Sequence, residues 1–96
     1  MRKYECMMIV SPDLTEDARG ELVASIEEEL TAGGTKILST DHWGVRDLAY
    51  RIHGSGTGYY ILWTLEGDGK NFIEVTRLLN LKKDIWRFMF VKLEDT

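Results

Sequence analysis

The sequence has few of the residues on which thiol or metal chemistry depends. Of its 96 residues, one is cysteine, one is proline and two are histidine. Cys6 has no partner for an intrachain disulfide, which indicates a reducing compartment and excludes a thiol-based metal cluster. His42 and His53 are eleven positions apart, a spacing that is not typical of a ligand pair. We therefore expect no metal site and no cofactor.

Long apolar runs are also missing. The longest one near the N-terminus, Cys6 to Val10, is shorter than the core of a signal peptide. It is far shorter than the roughly 20 residues that a membrane-spanning helix needs. We therefore expect a cytoplasmic protein without a membrane partner.

Positive charge is scarce overall, with 12 Lys and Arg against 16 Asp and Glu and a net charge of −4. The acidity is concentrated, because residues 13–32 contain seven acids and one base, a net charge of −6, which leaves +2 for the rest of the chain. Outside this segment, bases alternate with aromatic residues, a mixture that suits RNA phosphate contact combined with base stacking. The same residues are equally consistent with ordinary strand-end charges and core aromatics.

Hydrophobic periodicity predicts six elements. Strands are predicted over 3–10, 35–52 with a bulge near Gly44, 59–65 and 85–93, and residues 53–58 are expected to form a flexible hairpin loop. The first helix follows Asp13, whose spacing to Glu16 resembles a capping box, with Thr15 as an alternative cap, and it stops at 33–34. The second is expected to be capped by Asp68 and to end at Asn80.

This order predicts a ferredoxin-like β-α-β-β-α-β sandwich of the α+β class, a single domain over 1–96. Its four-stranded antiparallel sheet carries both helices on one face. The other face stays open to a partner protein or RNA, and its expected residues are Lys3, Met7, Arg87, Met89 and Val91.

Enzymatic chemistry finds little support in the sequence. The carboxylates of residues 27–29 are consecutive on a helix, so we expect them to splay over a solvated face and not to converge on a substrate. The glycine-rich segment 54–58 lacks the following lysine and the helix of a phosphate-binding loop. Residues 11–13 replace the arginine loop that acylphosphatase-type catalysis would need on this fold. We expect no enzyme and no small-molecule substrate.

Four segments, 1–5, 43–52, 58–60 and 85–92, together resemble the bacterial small-subunit ribosomal protein S6 family. The central block Trp-Gly-Val-Arg-Asp-Leu-Ala-Tyr-Arg-Ile is the most specific of them. The resemblance implies a structural component of the small ribosomal subunit, in the cytoplasmic ribosome. It implies that the chain pairs with ribosomal protein S18 and binds the central domain of small-subunit ribosomal RNA. Carried over by position, the candidate RNA contacts are Arg2, Lys3, Tyr4, Arg46, Tyr50 and Arg87, while the second strand and its hairpin are candidates for protein contact.

Two positions depart from the family pattern: Arg51 stands where proline is usual, and Asp47 where a basic residue is frequent. These departures leave open a divergent lineage or a paralogue with altered RNA affinity. Two other functions also stay open. One is a free-standing module similar to an RNA-recognition motif, reading single strands on Tyr59 and neighbouring aromatics. The other is an enzyme or small-molecule sensor with a polar pocket around a perturbed titratable group, in which His53 would be required.

Overall fold

The computed structural model describes residues 2–70 and 72–93. Its elements are, in chain order, β1 (Arg2–Val10), α1 (Glu16–Ala32), β2 (Lys36–Ile52), β3 (Ser55–Gly67), α2 (Phe72–Asn80) and β4 (Ile85–Lys92). The strands form one antiparallel sheet in the order β2-β3-β1-β4. This arrangement confirms the predicted ferredoxin-like fold. Within the described ranges, no helix has the length and apolarity to cross a bilayer.

Alternation along β1 separates the two faces of the sheet, because successive strand side chains point to opposite sides. Its even-numbered positions from Tyr4 to Val10 are buried in the core together with Trp63 of β3. Residues of both helices, including Ile26 and Leu79, complete that core. The odd-numbered positions of β1 pair with Arg87, Met89 and Val91 on the opposite, open face, as predicted.

The structure shows which of the predicted capping residues cap the two helices. The Thr15 hydroxyl accepts a hydrogen bond from the Ala18 N–H at 3.1 Å, so Thr15, and not Asp13, is the N-cap of α1. Beyond the end of α1, Gly34 has a φ of 92°, a conformation that favours glycine. The Asp68 carboxylate accepts from the Lys70 N–H at 2.9 Å, which stabilises the turn before α2 and does not cap its first residue, Phe72. The predicted stop at Asn80 is confirmed.

The acidic triplet of α1 is not the uniformly solvated face that the sequence predicted. The Glu27 carboxylate accepts hydrogen bonds from the Trp63 indole at 2.8 Å and from the Thr40 hydroxyl at 2.7 Å. Glu29 lies 3.4 Å from the Lys82 ammonium, after α2, and Glu28 is exposed. The three side chains are spread over about 200° around the helix axis, so one of them faces the sheet.

In the β2–β3 hairpin, β3 is longer and the turn is shorter than predicted. Its turn consists of His53 and Gly54, both with positive φ, and residues 55–58 belong to β3, so the expectation of a flexible loop over 53–58 was wrong. The register does shift between His42 and Gly44, as predicted. Two further irregularities, which the sequence did not predict, lie between Ile37 and Ser39 and between Asp47 and Ile52. The latter places residues 48–51 opposite a single residue of β3.

With these additional residues in β2, the hairpin extends over the end of β1. The rings of His53 and Trp86 lie 5.3 Å apart between centroids, although β3 and β1 separate β2 from β4 in the sheet. The tip of the hairpin therefore contacts the beginning of β4. This contact closes one end of the open face.

Candidate functional site

Three of the predicted site residues meet at the hairpin end of the open face. Tyr50 and Arg87 line the same groove, together with Tyr60 of β3. The Arg46 guanidinium lies 5.0 Å from the centroid of the Trp43 ring, and Trp43 is stacked on Tyr60 with an interplanar angle of 12°. Arg46, Tyr50 and Arg87 thus surround Tyr60, although they come from two different strands.

Trp43 and Tyr60 are the members of this site that the sequence analysis did not assign. Their ring centroids are 6.4 Å apart, and the Trp43 indole donates a hydrogen bond to the Asp41 carboxylate at 3.3 Å. Trp43 is 38% exposed, so it supports Arg46 at the surface instead of packing in the core. The predicted bulge near Gly44 was the available signal, because such a shift moves a side chain from one face of a strand to the other.

The floor of the site is apolar. Two adjoining grooves, of about 160 and 200 Å³, share Ile9 and Arg87 in their walls. The remaining lining is mostly aliphatic and aromatic: Met7, Leu48, Ala49, Tyr50, Ile52, Tyr60, Phe88 and Met89. Such a surface binds an apolar side chain more readily than a phosphate, since it offers few polar partners. We call these two grooves together the open-face groove.

Arg87 is the cation of the open-face groove. Its guanidinium donates to the carbonyl oxygen of Trp86 at 2.8 Å, which fixes one end of the side chain. Within the part of the chain that the structure describes, Arg87 forms no ion pair with a carboxylate. Its charge is therefore available to an anionic ligand at the edge of an apolar surface.

Arg2 and Lys3 lie at the other end of the sheet. Lys3 pairs in register with Glu66, whereas Ile9 pairs with Tyr60 beside the groove. Six residues of extended strand separate Lys3 from Ile9, a distance of about 20 Å. Arg2 and Lys3 are both exposed, but on opposite faces of β1. Neither shares a contact surface with the groove.

Tyr4 is a core residue. Only 8% of it is exposed, and its ring meets Phe72 of α2 edge to face at 4.9 Å between centroids. A ring packed in this way has no free face on which a nucleobase could stack. The structure therefore does not favour Tyr4 as an RNA contact, and its position near Arg2 and Lys3 in the sequence was misleading.

Cys6 and Tyr59 both have structural roles. Burial raises the pKa of the Cys6 thiol from 9.0 to about 12, so Cys6 stays protonated and is a poor nucleophile at neutral pH. Tyr59 lies on the helix side of the sheet, where the Arg19 guanidinium covers its ring at 4.2 Å. This placement removes Tyr59 from the open face, where a module similar to an RNA-recognition motif would need it.

Comparison with known proteins gives a consistent result. The sequence profile of the family described as ribosomal protein S6 matches residues 3–92. The small ribosomal subunit protein bS6 of Fusobacterium nucleatum is 42% identical over 92 residues, which cover 96% of this chain and 98% of that protein. The protein of the same name from Koribacter versatilis is 42% identical over 95 residues, covering 98% of this chain and 64% of the relative.

A solved structure has the same fold. The crystal structure of 30S ribosomal protein S6 from Thermotoga maritima superposes with a TM-score of 0.90 at 27% sequence identity. The match covers 96% of this chain and 87% of that one.

Proposed function

Because this chain belongs to the ribosomal protein S6 family, we propose that it binds the central domain of small-subunit ribosomal RNA together with ribosomal protein S18. Family membership makes it a structural component of the ribosome and not an enzyme. Its relatives are small-subunit proteins, so it resides in the cytoplasmic ribosome. The observation that supports the proposed contacts best is that Tyr50 and Arg87 line one apolar groove with Tyr60, on which Trp43 and then Arg46 are stacked.

The open-face groove is the part of this site that suits a protein. Met89 is 58% exposed, Val91 42% and Tyr50 74%, so a large apolar area faces water in the isolated chain. Burying such area stabilises a complex by about 25 cal/mol per Å², and RNA phosphates cannot supply apolar cover. S18 therefore covers the groove and the neighbouring residues of β2 and the hairpin.

The cations around the groove suit RNA. The Arg46 guanidinium lies over the Trp43 ring, and this contact holds it at the surface of the hairpin. Arg87 lines the groove itself. Guanidinium groups bind phosphate oxygens in a bidentate manner, and a guanidinium held in advance loses less side-chain entropy on binding. Arg46 and Arg87 thus contact phosphates next to the docked S18, and Lys3, on the same face of the sheet, extends the contact to its far end.

A double substitution tests this division of the site into a surface for S18 and cations for RNA. In the complex with S18, Arg46→Ala combined with Arg87→Ala should lower the affinity for a central-domain RNA fragment about tenfold or more. The slope of log affinity against log salt should fall by about 1.8, since each lost phosphate contact contributes roughly 0.9. Filter binding over a range of salt concentrations measures both quantities.

The matched control replaces two exposed cations near the helices, Arg77→Ala with Lys83→Ala, and changes the net charge equally. This variant should keep nearly the full affinity and slope. If the Arg46 and Arg87 variant behaved like the control, the site assignment would be refuted.

A further inference from the structure

A second concave surface lies on the helix side of the sheet, away from the open-face groove. It is a notch of about 280 Å³ between the first turns of α1 and strands β2 and β3. Its walls are Glu16, Arg19, Gly20, Val23, His42 and Tyr59. We call it the α1 notch. The ribosomal role proposed above does not use any of these residues.

Polar groups from three elements meet around Tyr59 in the notch. The Arg19 guanidinium lies 4.2 Å from the centre of the tyrosine ring. The Tyr59 hydroxyl and His42 Nδ1 are hydrogen-bonded at 3.0 Å. Arg19, the one base among seven acids in residues 13–32, forms no ion pair or side-chain hydrogen bond across residues 2–70 and 72–93. Its donors are therefore available to a ligand, while the ring holds the group in place.

Gly20 forms part of the helix wall of the notch. It lies in the interior of α1, where glycine is among the least favourable residues. Its φ is not positive, and a Cβ built at this position would have no atom within 4 Å. The fold therefore does not require glycine here. The missing side chain leaves this wall of the notch open.

The chemistry of the walls defines what the notch accepts. A guanidinium fork, an imidazole and a phenol hydroxyl together favour an oxyanion. The Glu16 carboxylate at the same notch and the negative net charge of the surrounding helix disfavour a phosphate group that itself carries more than one charge. A phosphodiester, with one negative charge, fits these conditions better than inorganic phosphate or a pyrophosphate.

We infer that the α1 notch binds one phosphodiester of an RNA strand, on the side of the sheet opposite to the open-face groove. This inference rests on the proposed function, since it requires that the chain binds RNA at all. Arg19 and His42 contact the phosphate, and Tyr59 orients both of them. The lack of a side chain at Gly20 lets the RNA strand come close to α1. The chain then meets RNA on both sides of its sheet.

The test uses the complex with S18 and the same central-domain RNA fragment. Gly20→Ala should raise the unfolding midpoint by about 4–8 °C, because alanine is the better helix residue. It should nevertheless weaken RNA binding several-fold, because the new methyl group narrows the notch. A residue with only a structural role would not show a gain in stability together with a loss of affinity.

Arg19→Gln should lower the affinity about tenfold and reduce the salt slope by about 0.9, the value for one phosphate. Arg77→Gln on α2 makes the same change of charge and should leave both unchanged. If Arg19→Gln and Gly20→Ala bind like the unmodified complex while Arg46→Ala with Arg87→Ala does not, the notch is refuted and the proposed function stands. If the unmodified complex binds no RNA, both fail. A lowered unfolding midpoint in Gly20→Ala would overturn the premise that the fold tolerates alanine there.

Discussion

At the scale of single residues, Glu27 shows how one carboxylate joins a helix to a sheet. Its Oε2 atom accepts from the Trp63 indole and from the Thr40 hydroxyl, so α1 is bonded to both β3 and β2. Trp63 is fully buried, and the indole N–H would otherwise have no acceptor in an apolar core. The carboxylate is thus part of the core, although it belongs to the most acidic segment of the chain.

We therefore predict that Glu27→Ala destabilises the fold by about 2–3 kcal/mol, because it leaves the buried N–H of Trp63 unpaired. Urea unfolding monitored by tryptophan fluorescence measures this change. Glu28→Ala is the matched control, since this neighbour is exposed and removes the same charge. Its effect should stay within about 0.5 kcal/mol. Equal effects of the two substitutions would contradict the role of Glu27.

Arg51 is a residue whose role the sequence did not predict. Its guanidinium donates to the carbonyl oxygen of Gly54 at 2.9 Å, across the turn of the hairpin. Where the family resemblance predicts a proline that restricts the backbone, this chain has a side chain that closes the turn. Asp47 pairs with Thr57 in the hairpin, and no contact of the structure explains its departure from the family pattern.

At the scale of elements, Gly58 is the position at which the β2–β3 hairpin packs against β1. A Cβ at this position would lie 2.5 Å from Cγ2 of Ile9 and 3.3 Å from Cδ2 of Leu48. Glycine is therefore needed for close packing between β3, β1 and the irregular segment of β2. This contact holds the wall of the open-face groove against its floor.

Gly58→Ala should consequently destabilise the fold by about 1–3 kcal/mol, because the β-branched side chain of Ile9 has little freedom to move away. Gly56→Ala is the control in the same strand, where an added Cβ meets open space, and we expect a change within about 0.5 kcal/mol. Chemical denaturation of both variants measures the difference. In an Ile9→Ala background the penalty at Gly58 should shrink, and a penalty that persists unchanged there would show that this contact is not its cause.

The elements also show how far sequence reasoning extends. Alternation in β1 and in β4 from Arg87 onward predicts both faces of the sheet correctly, because a regular strand has a fixed period. In β2 the period fails at residues 48–51, where four residues stand opposite one. The position of Tyr50 beside Arg87 depends on this irregularity and on pairing across three strands, so no local pattern reveals it. The Trp43–Tyr60 stack depends on the bulge near Gly44, which the sequence predicted, and on the register of β2 with β3, which it did not.

At the scale of the whole molecule, the net charge of −4 is the sum of −6 in residues 13–32 and +2 in the rest of the chain. The acidic segment lies on α1, on one side of the sheet, while Arg46 and Arg87 stand around the groove on the other side. The open face thus combines an apolar floor with a few cations. So few phosphate contacts give weak and salt-dependent RNA affinity by themselves. We therefore expect the chain to depend on a basic partner that adds positive charge and covers the apolar groove.

The most direct test of this account is the affinity of a central-domain RNA fragment for the chain alone, for S18 alone and for the two together, each over a range of salt concentrations. We predict that the pair binds much more tightly than either protein, and that the chain alone binds weakly and loses its affinity as salt rises. Binding by the chain alone that equals that of the pair would contradict the account.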